Sequence, residues 1–445
     1  MTQRLIIIGG GAAGSSVAAK AKRVKPDLEV HMFDQGPHVS YSACPTPYYI
    51  GGVIPDAEQL IARRPEQFEK SGIHVHLNTG IVSLDPQAGR ARDSQGQDWP
   101  FDQAAYTTGA HSFIPSIPGI EHEGVFALKD LRDAMRIKDF IREHRARRGV
   151  ILGAGLIAME MAEAFRELDL ATTILYRGTL PLKKLGEDFA RIVLQELESR
   201  GVAFLPGTEV MAIERGERGL EVVTADRRHE ADLVLVALGI LPATRLAAAS
   251  GLRLGASQAV ATDAQQRTNF ENVYTAGDCA EAFDRVARRP DYFPFGDVAN
   301  RQGRVAGANI AGQAAAFPGV VGSWCCKVFG LEVAQTGLTE EAARAAGFQP
   351  TAAQVTARSR AHAYPGSQPV QIRLIAEQAA GRLLGAQAVG AEGAVTRVNV
   401  VAAGLHCGMT VADLAQIDLC YAPPYSPSWD PLHLVAAECL KKLPA

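Results

Sequence analysis

One thiol is the starting point. Cys44 lies in Val39-Ser40-Tyr41-Ser42-Ala43-Cys44-Pro45-Thr46-Pro47-Tyr48-Tyr49, a small-and-aromatic stretch just beyond an apolar strand pattern. Pro45 and Pro47 read as the first turn of a helix, where a fixed φ is tolerated and a missing N–H costs little. A cysteine at a helix N-terminus is biased toward the thiolate, the nucleophilic form. Ser40 and Thr46 fill the nearby polar positions, and the next cysteine along the chain is Cys279. Thiol chemistry here is therefore monothiol chemistry, with the second sulfur supplied by a substrate or another part of the assembly. A buried structural cysteine is the rival reading and the commoner fate of a lone Cys. The flanking elements decide between the two.

Upstream, Leu5–Ile8 runs into Gly9-Gly10-Gly11-Ala12-Ala13-Gly14 and an alanine-rich helix. The next strand, Glu29–Phe33, ends in Asp34, twenty residues after Gly14. This is a complete dinucleotide fingerprint. Its glycines let backbone approach a pyrophosphate at a helix N-terminus, and its acid accepts from ribose hydroxyls. The pattern recurs. Gly149–Leu152 leads into Gly153-Ala154-Gly155-Leu156-Ile157-Ala158, a helix with Glu160 and Glu163, and a strand ending Leu175-Tyr176-Arg177-Gly178. Ala158 replaces the third glycine, as the motif allows. Two such units in one chain predict electrons passed between two cofactors. Asp34 suits a ribose with a free 2′-hydroxyl, whereas Tyr176-Arg177 lacks the acid and offers a guanidinium for a 2′-phosphate. The second site thus leans toward NADPH over NADH. Arg177 reads equally well as a solvated charge, and Lys183 and Lys184 lie close by.

Bulk properties set the class. A chain of 445 residues has room for about two to four domains, and 47% apolar against 21% charged content is that of a globular protein. A net charge of −3 argues against a nucleic-acid or anionic-membrane surface. Seven scattered cysteines, an odd number, do not make a secreted disulfide framework, so a reducing cytoplasm is expected. The opening Arg4–Ile8 carries no basic n-region, and the apolar run Leu233–Leu241 is too short to span a bilayer.

The rest of the chain supplies scaffolding. Tyr106-Thr107-Thr108-Gly109-Ala110 ends a strand as the chain crosses to the second unit. A charged helix from Asp130 to Arg148 follows, with Arg145, Arg147 and Arg148 read as a solvated face. Leu233–Leu241 closes the second unit. Asn272–Cys279 then returns to the first, placing Asp278 to accept from cofactor hydroxyls. Asp297–Arg304 opens a helix whose positive end would face a cofactor ring. From Ser323, strands at Lys327–Phe329, Val370–Leu374 and Leu384–Val389 alternate with amphipathic helices and end in an aromatic, proline-rich loop, Asp418–Pro431. Such loops carry function on rigid scaffolds. The expected layout is α/β, with residues 1–112 and 247–322 forming a discontinuous first nucleotide domain. Residues 113–246 form the inserted second domain, and 323–445 an α+β third.

Gly9–Gly14, Ser40–Tyr49, Thr107–Ala110, Gly153–Ala162, Thr275–Asp278, Gly337-Leu338-Thr339-Glu340 and Tyr421–Ser426 together carry a resemblance. Along essentially its whole length the chain resembles the flavoprotein pyridine nucleotide–disulfide oxidoreductases. Within them it is most similar to the single-cysteine group: coenzyme A disulfide reductases, persulfide and polysulfide reductases, and NADH oxidases and peroxidases. The resemblance implies FAD on the first Rossmann-like unit, through Gly9, Gly11, Ala12, Ala13, Gly14, Asp34, Gln35, Ser42, Val82, Thr108, Gly109, Gly277, Asp278 and Ala299. It implies NAD(P)H on the second, through Gly153, Gly155, Leu156, Ile157, Glu160, Tyr176, Arg177 and Gly239. The third domain would form a homodimer interface, the partner subunit bringing Tyr421, and with it Tyr364 and Tyr425, over Cys44. Cys44, Tyr421 and Tyr364 would be catalytic. Ser40, Lys20, Lys22, Arg23 and Tyr425 would hold a small thiol or disulfide such as coenzyme A.

The implied activity is reduction of a small disulfide, persulfide or polysulfide through a mixed disulfide on Cys44. The alternatives are an NAD(P)H oxidase or redox sensor using a Cys44 sulfenic acid, and a nucleotide-sensing interaction protein. Oxidases and peroxidases of the group carry a histidine in the first glycine loop, where this chain has Ala12-Ala13-Gly14-Ser15-Ser16, so oxygen and peroxide are disfavoured. Ala43 stands where coenzyme A disulfide reductases often have Asn, and Pro45 where a small residue is usual. Both leave a substrate other than coenzyme A disulfide open. No rhodanese-like extension is expected beyond Ala445. Cys325-Cys326 reads as a core pair, because adjacent cysteines bridge only with strain. His433 and Glu438 have the spacing of the acid–base dyad of dithiol relatives, but their flanking sequence follows the single-cysteine pattern. No motif for a metal is present.

Overall fold

The computed structural model describes residues 3–444; the expected domain ends at residues 1 and 445 lie outside the described residues. Leu5, Ile6, Ile7 and Ile8 are all buried, as a central strand of a parallel sheet covered on both faces requires. Five parallel strands run in the order Val273–Thr275, Gln103–Tyr106, Arg4–Ile8, Glu29–Phe33, Ile73–His76. The register sets Ile8 beside both Phe33 and Tyr106. The first glycine loop, Asp34 and Thr107 therefore emerge together at the carboxyl edge, where open α/β sheets bind ligands. Helices Ala12–Val24 and Gly296–Ile310 pack closely, since a Cβ at Gly303 would stand 2.5 Å from the Ala13 carbonyl oxygen.

A second parallel sheet repeats the plan in the order Val202–Pro206, Ala171–Tyr176, Arg148–Leu152, Leu233–Val236, Val125–Ala127. Leu152 pairs with Leu175 and Val236, which brings Gly153, Tyr176 and Ala237 to one edge. The chain leaves the first sheet through Ala110–Ser112 and returns through Ile240–Pro242, which pair as an antiparallel ribbon. The third sheet is antiparallel, in the order Trp324–Val328, Leu331–Gly337, Leu383–Gly390, Pro369–Glu377, Pro350–Arg358, and carries helices Ala394–Cys407 and Pro431–Leu440. The fold is thus α/β, two Rossmann-like units followed by an α+β domain. In the last, Arg397 and Asp430 form a buried ion pair at 2.9 Å. Ser426 donates to the same carboxylate, tying the C-terminal loop to helix Ala394–Cys407.

Some expectations change. The run Leu233–Leu241 is two strands, broken where Gly239 takes φ +107°. Arg148 is no solvated charge: it opens a strand and bonds Asp232 at 2.7 Å as well as Glu230. Two three-stranded antiparallel sheets, one over 81–100 and one over 210–231, flank the Rossmann-like units. Among the described residues, no helix is long and apolar enough to cross a membrane.

Candidate active site

Both glycine loops meet the three demands of a pyrophosphate cradle. A Cβ at Gly9 (φ +105°) would stand 2.3 Å from the Thr107 carbonyl oxygen, and one at Gly14 would stand 1.9 Å from that of Gly9. Beside Gly11 nothing lies within 4 Å. These are the tight turn, the close helix packing and the open approach that the motif needs. In the second loop a Cβ at Gly153 (φ +112°) would meet the Ala237 oxygen at 2.3 Å, Gly155 is open, and Ala158 is fully buried. The residues present therefore fit two dinucleotides. Asp34 is held at the first by N–H donors from Gly10 and Gly36, both at 2.8 Å, and burial pushes its carboxyl above the usual range despite them.

One cavity of about 2570 Å³ joins the two cradles. Single small-ligand pockets run to roughly 1,000 Å³, so this space admits more than one ligand. Its wall carries Gly9, Gly11, Ala12, Ala13, Asp34, Gln35, Ser42, Thr108, Gly109, Gly277, Asp278 and Ala299 from the first site. Gly155, Leu156, Ile157, Glu160 and Gly239 come from the second. Ser40, Lys20 and Arg23 share it, and so do Cys44 and Cys325. Gly14 and Gly153 are not in that wall. Asp278 forms an ion pair with Lys129 at 2.9 Å, and Tyr292 donates to its carbonyl oxygen at 2.8 Å.

Cys44 opens onto this cavity beside the first turn of helix Gly296–Ile310: a Cβ at Gly296 would stand 3.6 Å from its sulfur. Cys44 is exposed, and it lines the cavity. The charges and burial around the sulfur oppose the thiolate bias expected from the helix terminus. Burial pushes the Cys44 thiol up, the Glu160 charge adds to this, Lys129 opposes it, and Asp278 raises it again. The helix after Cys44, Thr46–Ile50, is only five residues long, too short to offset that burial and charge.

Several other residues lie elsewhere than expected. Val82 is 59% exposed, and its neighbour Ile81 lines the cavity instead, because side chains alternate along a strand. Lys22 turns back to donate to the Leu28 carbonyl at 2.7 Å, leaving Lys20 and Arg23 as the cavity-facing cations of the first helix. Tyr176 packs near Phe204, and Arg177 is exposed at the strand end, while Lys183 and Lys184 stand in the wall. Tyr364, Tyr421 and Tyr425 are exposed and do not line the cavity of their own chain. His433 donates from Nε2 to the Ile417 carbonyl oxygen at 2.8 Å, a structural bond. Cys326 is core, but Cys325 is exposed. Alternation along Trp324–Val328 was the available signal for that split, and nothing in the sequence marked Lys129 or Tyr292.

Two dinucleotide cradles with a thiol in the space between them define a dinucleotide-linked oxidoreductase. The family described as pyridine nucleotide-disulphide oxidoreductase matches residues 3–315, and its dimerisation domain matches residues 324–432. The chain belongs to this family, whose members work with FAD and a pyridine nucleotide. It is 37% identical to an NAD(P)H sulfur oxidoreductase (CoA-dependent) of Pyrococcus abyssi over 439 residues, 98% of each chain. It is 36% identical to an NAD(P)H coenzyme A polysulfide/persulfide reductase of Pyrococcus horikoshii over 443 residues, 99% of each. A solved NAD-dependent persulfide reductase from A. fulgidus superposes with a TM-score of 0.95 at 34% identity, covering 99% of this chain and 83% of that one.

Proposed function

We propose that the protein uses NAD(P)H to reduce a small disulfide, persulfide or polysulfide through a mixed disulfide on Cys44. The position of that thiol on the cavity joining both glycine cradles carries the reading. When bound, FAD and NAD(P)H supply a two-electron path from nicotinamide to sulfur. Gly9–Gly14, Asp34 and Asp278 would hold the flavin nucleotide, and Gly153–Ile157 with Gly239 would hold the nicotinamide nucleotide. The Cys44 thiolate attacks one sulfur of R–S–S–R, forming Cys44–S–S–R and releasing RS⁻. Two electrons then return Cys44 to the thiolate and release the second RS⁻. Tyr421 of the partner subunit protonates the departing thiolate, and Tyr364 and Tyr425 seat it. Lys20 and Arg23 bind its anionic groups, in keeping with a coenzyme A-like carrier. A homodimer and a cytoplasmic setting complete the reading.

NADPH is the preferred donor. Arg177 makes no ion pair among the described residues, and Lys183 and Lys184 are held beside the second loop, where the Leu182 N–H donates to the Ala154 carbonyl at 2.9 Å. These are free cations for a 2′-phosphate. Anaerobic titration tests the main claim. Cys44→Ser will accept electrons from NADPH into the flavin yet lose turnover of coenzyme A disulfide and polysulfide. Retained turnover contradicts the role of the thiol.

A further inference from the structure

Four polar residues stand opposite one another across the third sheet: Gln335, Gln387, Arg373 and Gln354, one on each of four neighbouring strands. Gln335 and Gln387 are buried, and a buried amide is tolerated only where its hydrogen bonds are made. The row is bonded throughout. Arg373 donates to Gln354 at 2.7 Å and to Gln387 Oε1 at 3.3 Å, and Gln387 Nε2 donates to Gln335 Oε1 at 2.8 Å. The same Nε2 also reaches out of the domain, donating to the Lys184 carbonyl oxygen at 3.0 Å. A guanidinium only donates and a backbone carbonyl only accepts, so the Gln387 amide has a single orientation.

Lys184 belongs to the short turn Lys183–Leu185 of the second nucleotide domain, and that turn is gripped from two sides. In front, Leu182, at φ +50°, donates its N–H to the Ala154 carbonyl oxygen of the glycine loop at 2.9 Å. Behind, the turn meets Gln387, and a Cβ at Gly186 would stand 2.5 Å from Arg373 Nη1. Leu185 is fully buried, which sets the depth of the turn. The Gln387 bond fixes the plane of the peptide between Lys184 and Leu185. Arg373 pairs with Asp188 at 3.1 Å, and Glu187 accepts from Arg191 at 3.1 Å. Both acids that open helix Glu187–Ser199 are thus occupied. Lys183 and Lys184 make no ion pair among the described residues, and they line the cavity with Gly155 and Ile157 of the glycine loop.

We infer that Gln387 is a positioning residue for the nicotinamide nucleotide: from the third domain it fixes the Lys183–Leu185 turn so that both ammonium groups meet the 2′-phosphate of NADPH. The inference rests on the proposed preference for NADPH and adds to it a residue outside the nucleotide domain. A lysine is a point charge on a flexible stem, so holding its backbone lowers the ordering cost of meeting a phosphate. NADH carries a hydroxyl at that carbon and gains nothing from the two charges.

Stopped-flow reduction of the bound flavin by NADPH and by NADH tests this without any sulfur acceptor. Gln387→Met keeps the length of the side chain and loses the donor. It should weaken NADPH binding about fivefold, the effect of one hydrogen bond, while the limiting rate of flavin reduction and the binding of NADH stay as in wild type. Unchanged NADPH binding overturns the inference. So does a loss shared equally by NADH, the result a packing role would give. Should Gln387→Met fail to retain flavin, Gln387→Glu, which keeps the Arg373 bond and loses the same donor, decides by the same outcomes. Wild type that binds both nucleotides equally contradicts the NADPH preference, and the inference falls with it. Wild type that favours NADPH, beside a variant with unshifted binding, contradicts the inference alone.

Discussion

The two glycine loops are built to one backbone specification and serve different ends. In each, the first glycine is forced by a carbonyl across the sheet edge at 2.3 Å and the second is left open. They diverge in what closes over them. The first loop is revisited late in the chain by Gly277, where a Cβ would stand 2.9 Å from the Ala13 Cβ, and by Ala299 on helix Gly296–Ile310. The second is flanked by Gly239 and exposed Leu238. The register positions tell the same story. Ser16, seven residues past Gly9, bonds Asn300 at 2.8 Å, whereas Glu160, seven past Gly153, is left facing the cavity. A nucleotide locked under a returning segment stays, and one at an open edge exchanges, as a resident FAD and a diffusing NAD(P)H require.

The largest effect should come from breaking each cradle separately. Gly14→Val drives a side chain into the Gly9 carbonyl, and the purified protein will carry no flavin absorbance. Gly153→Val will keep its flavin but lose its reduction by NADPH by more than about 10³-fold, since a loop that cannot form binds nothing. Flavin content and stopped-flow reduction measure the two. Equal flavin loss in both variants would erase the distinction between the loops.

A smaller effect lies in Glu160. Its folded-state carboxyl is raised to about 7 against an ordinary 4.5. The folded protein therefore holds a proton that the unfolded chain gives up, and the resulting destabilisation appears as pH rises above about 4.5 and is complete above about 7. Glu160→Gln, neutral throughout, escapes it. Chemical unfolding of the flavin-free protein should show the variant more stable by about 3 kcal/mol at pH 8 and no different at pH 4. Ser16→Ala at the matching position will show no such pH dependence.

Nucleotide choice gives about one further decade. Arg177→Glu should raise KM for NADPH about tenfold, roughly 1.4 kcal/mol, and leave NADH unchanged. On the first helix, Lys20→Ala and Arg23→Ala should each raise KM for a coenzyme A-type disulfide severalfold. Lys22→Ala, whose amine caps Leu28, should change KM for neither substrate.

The sequence carried most of this. Both cradles were legible because their glycines answer to local sterics, and the α+β third domain because strand patterns there alternate with amphipathic helices. Val82 and Lys22 were misplaced because a motif fixes a segment and not the direction of a side chain on it. The thiolate bias at Cys44 was argued from one short helix and left its other neighbours out. The groups that set its proton affinity, Glu160, Lys129 and Asp278, come from 85 to 234 residues further along the chain. Cys325 was hidden for the same reason: only the folded chain brings Trp324–Val328 to the cavity.

Sulfur exchange at one named atom is best tested by mass. Flavin-loaded protein incubated anaerobically with coenzyme A disulfide should gain a single coenzyme A, on the Cys44 peptide, and lose it on addition of NADPH. An unmodified Cys44, or an adduct confined to Cys325, would contradict it.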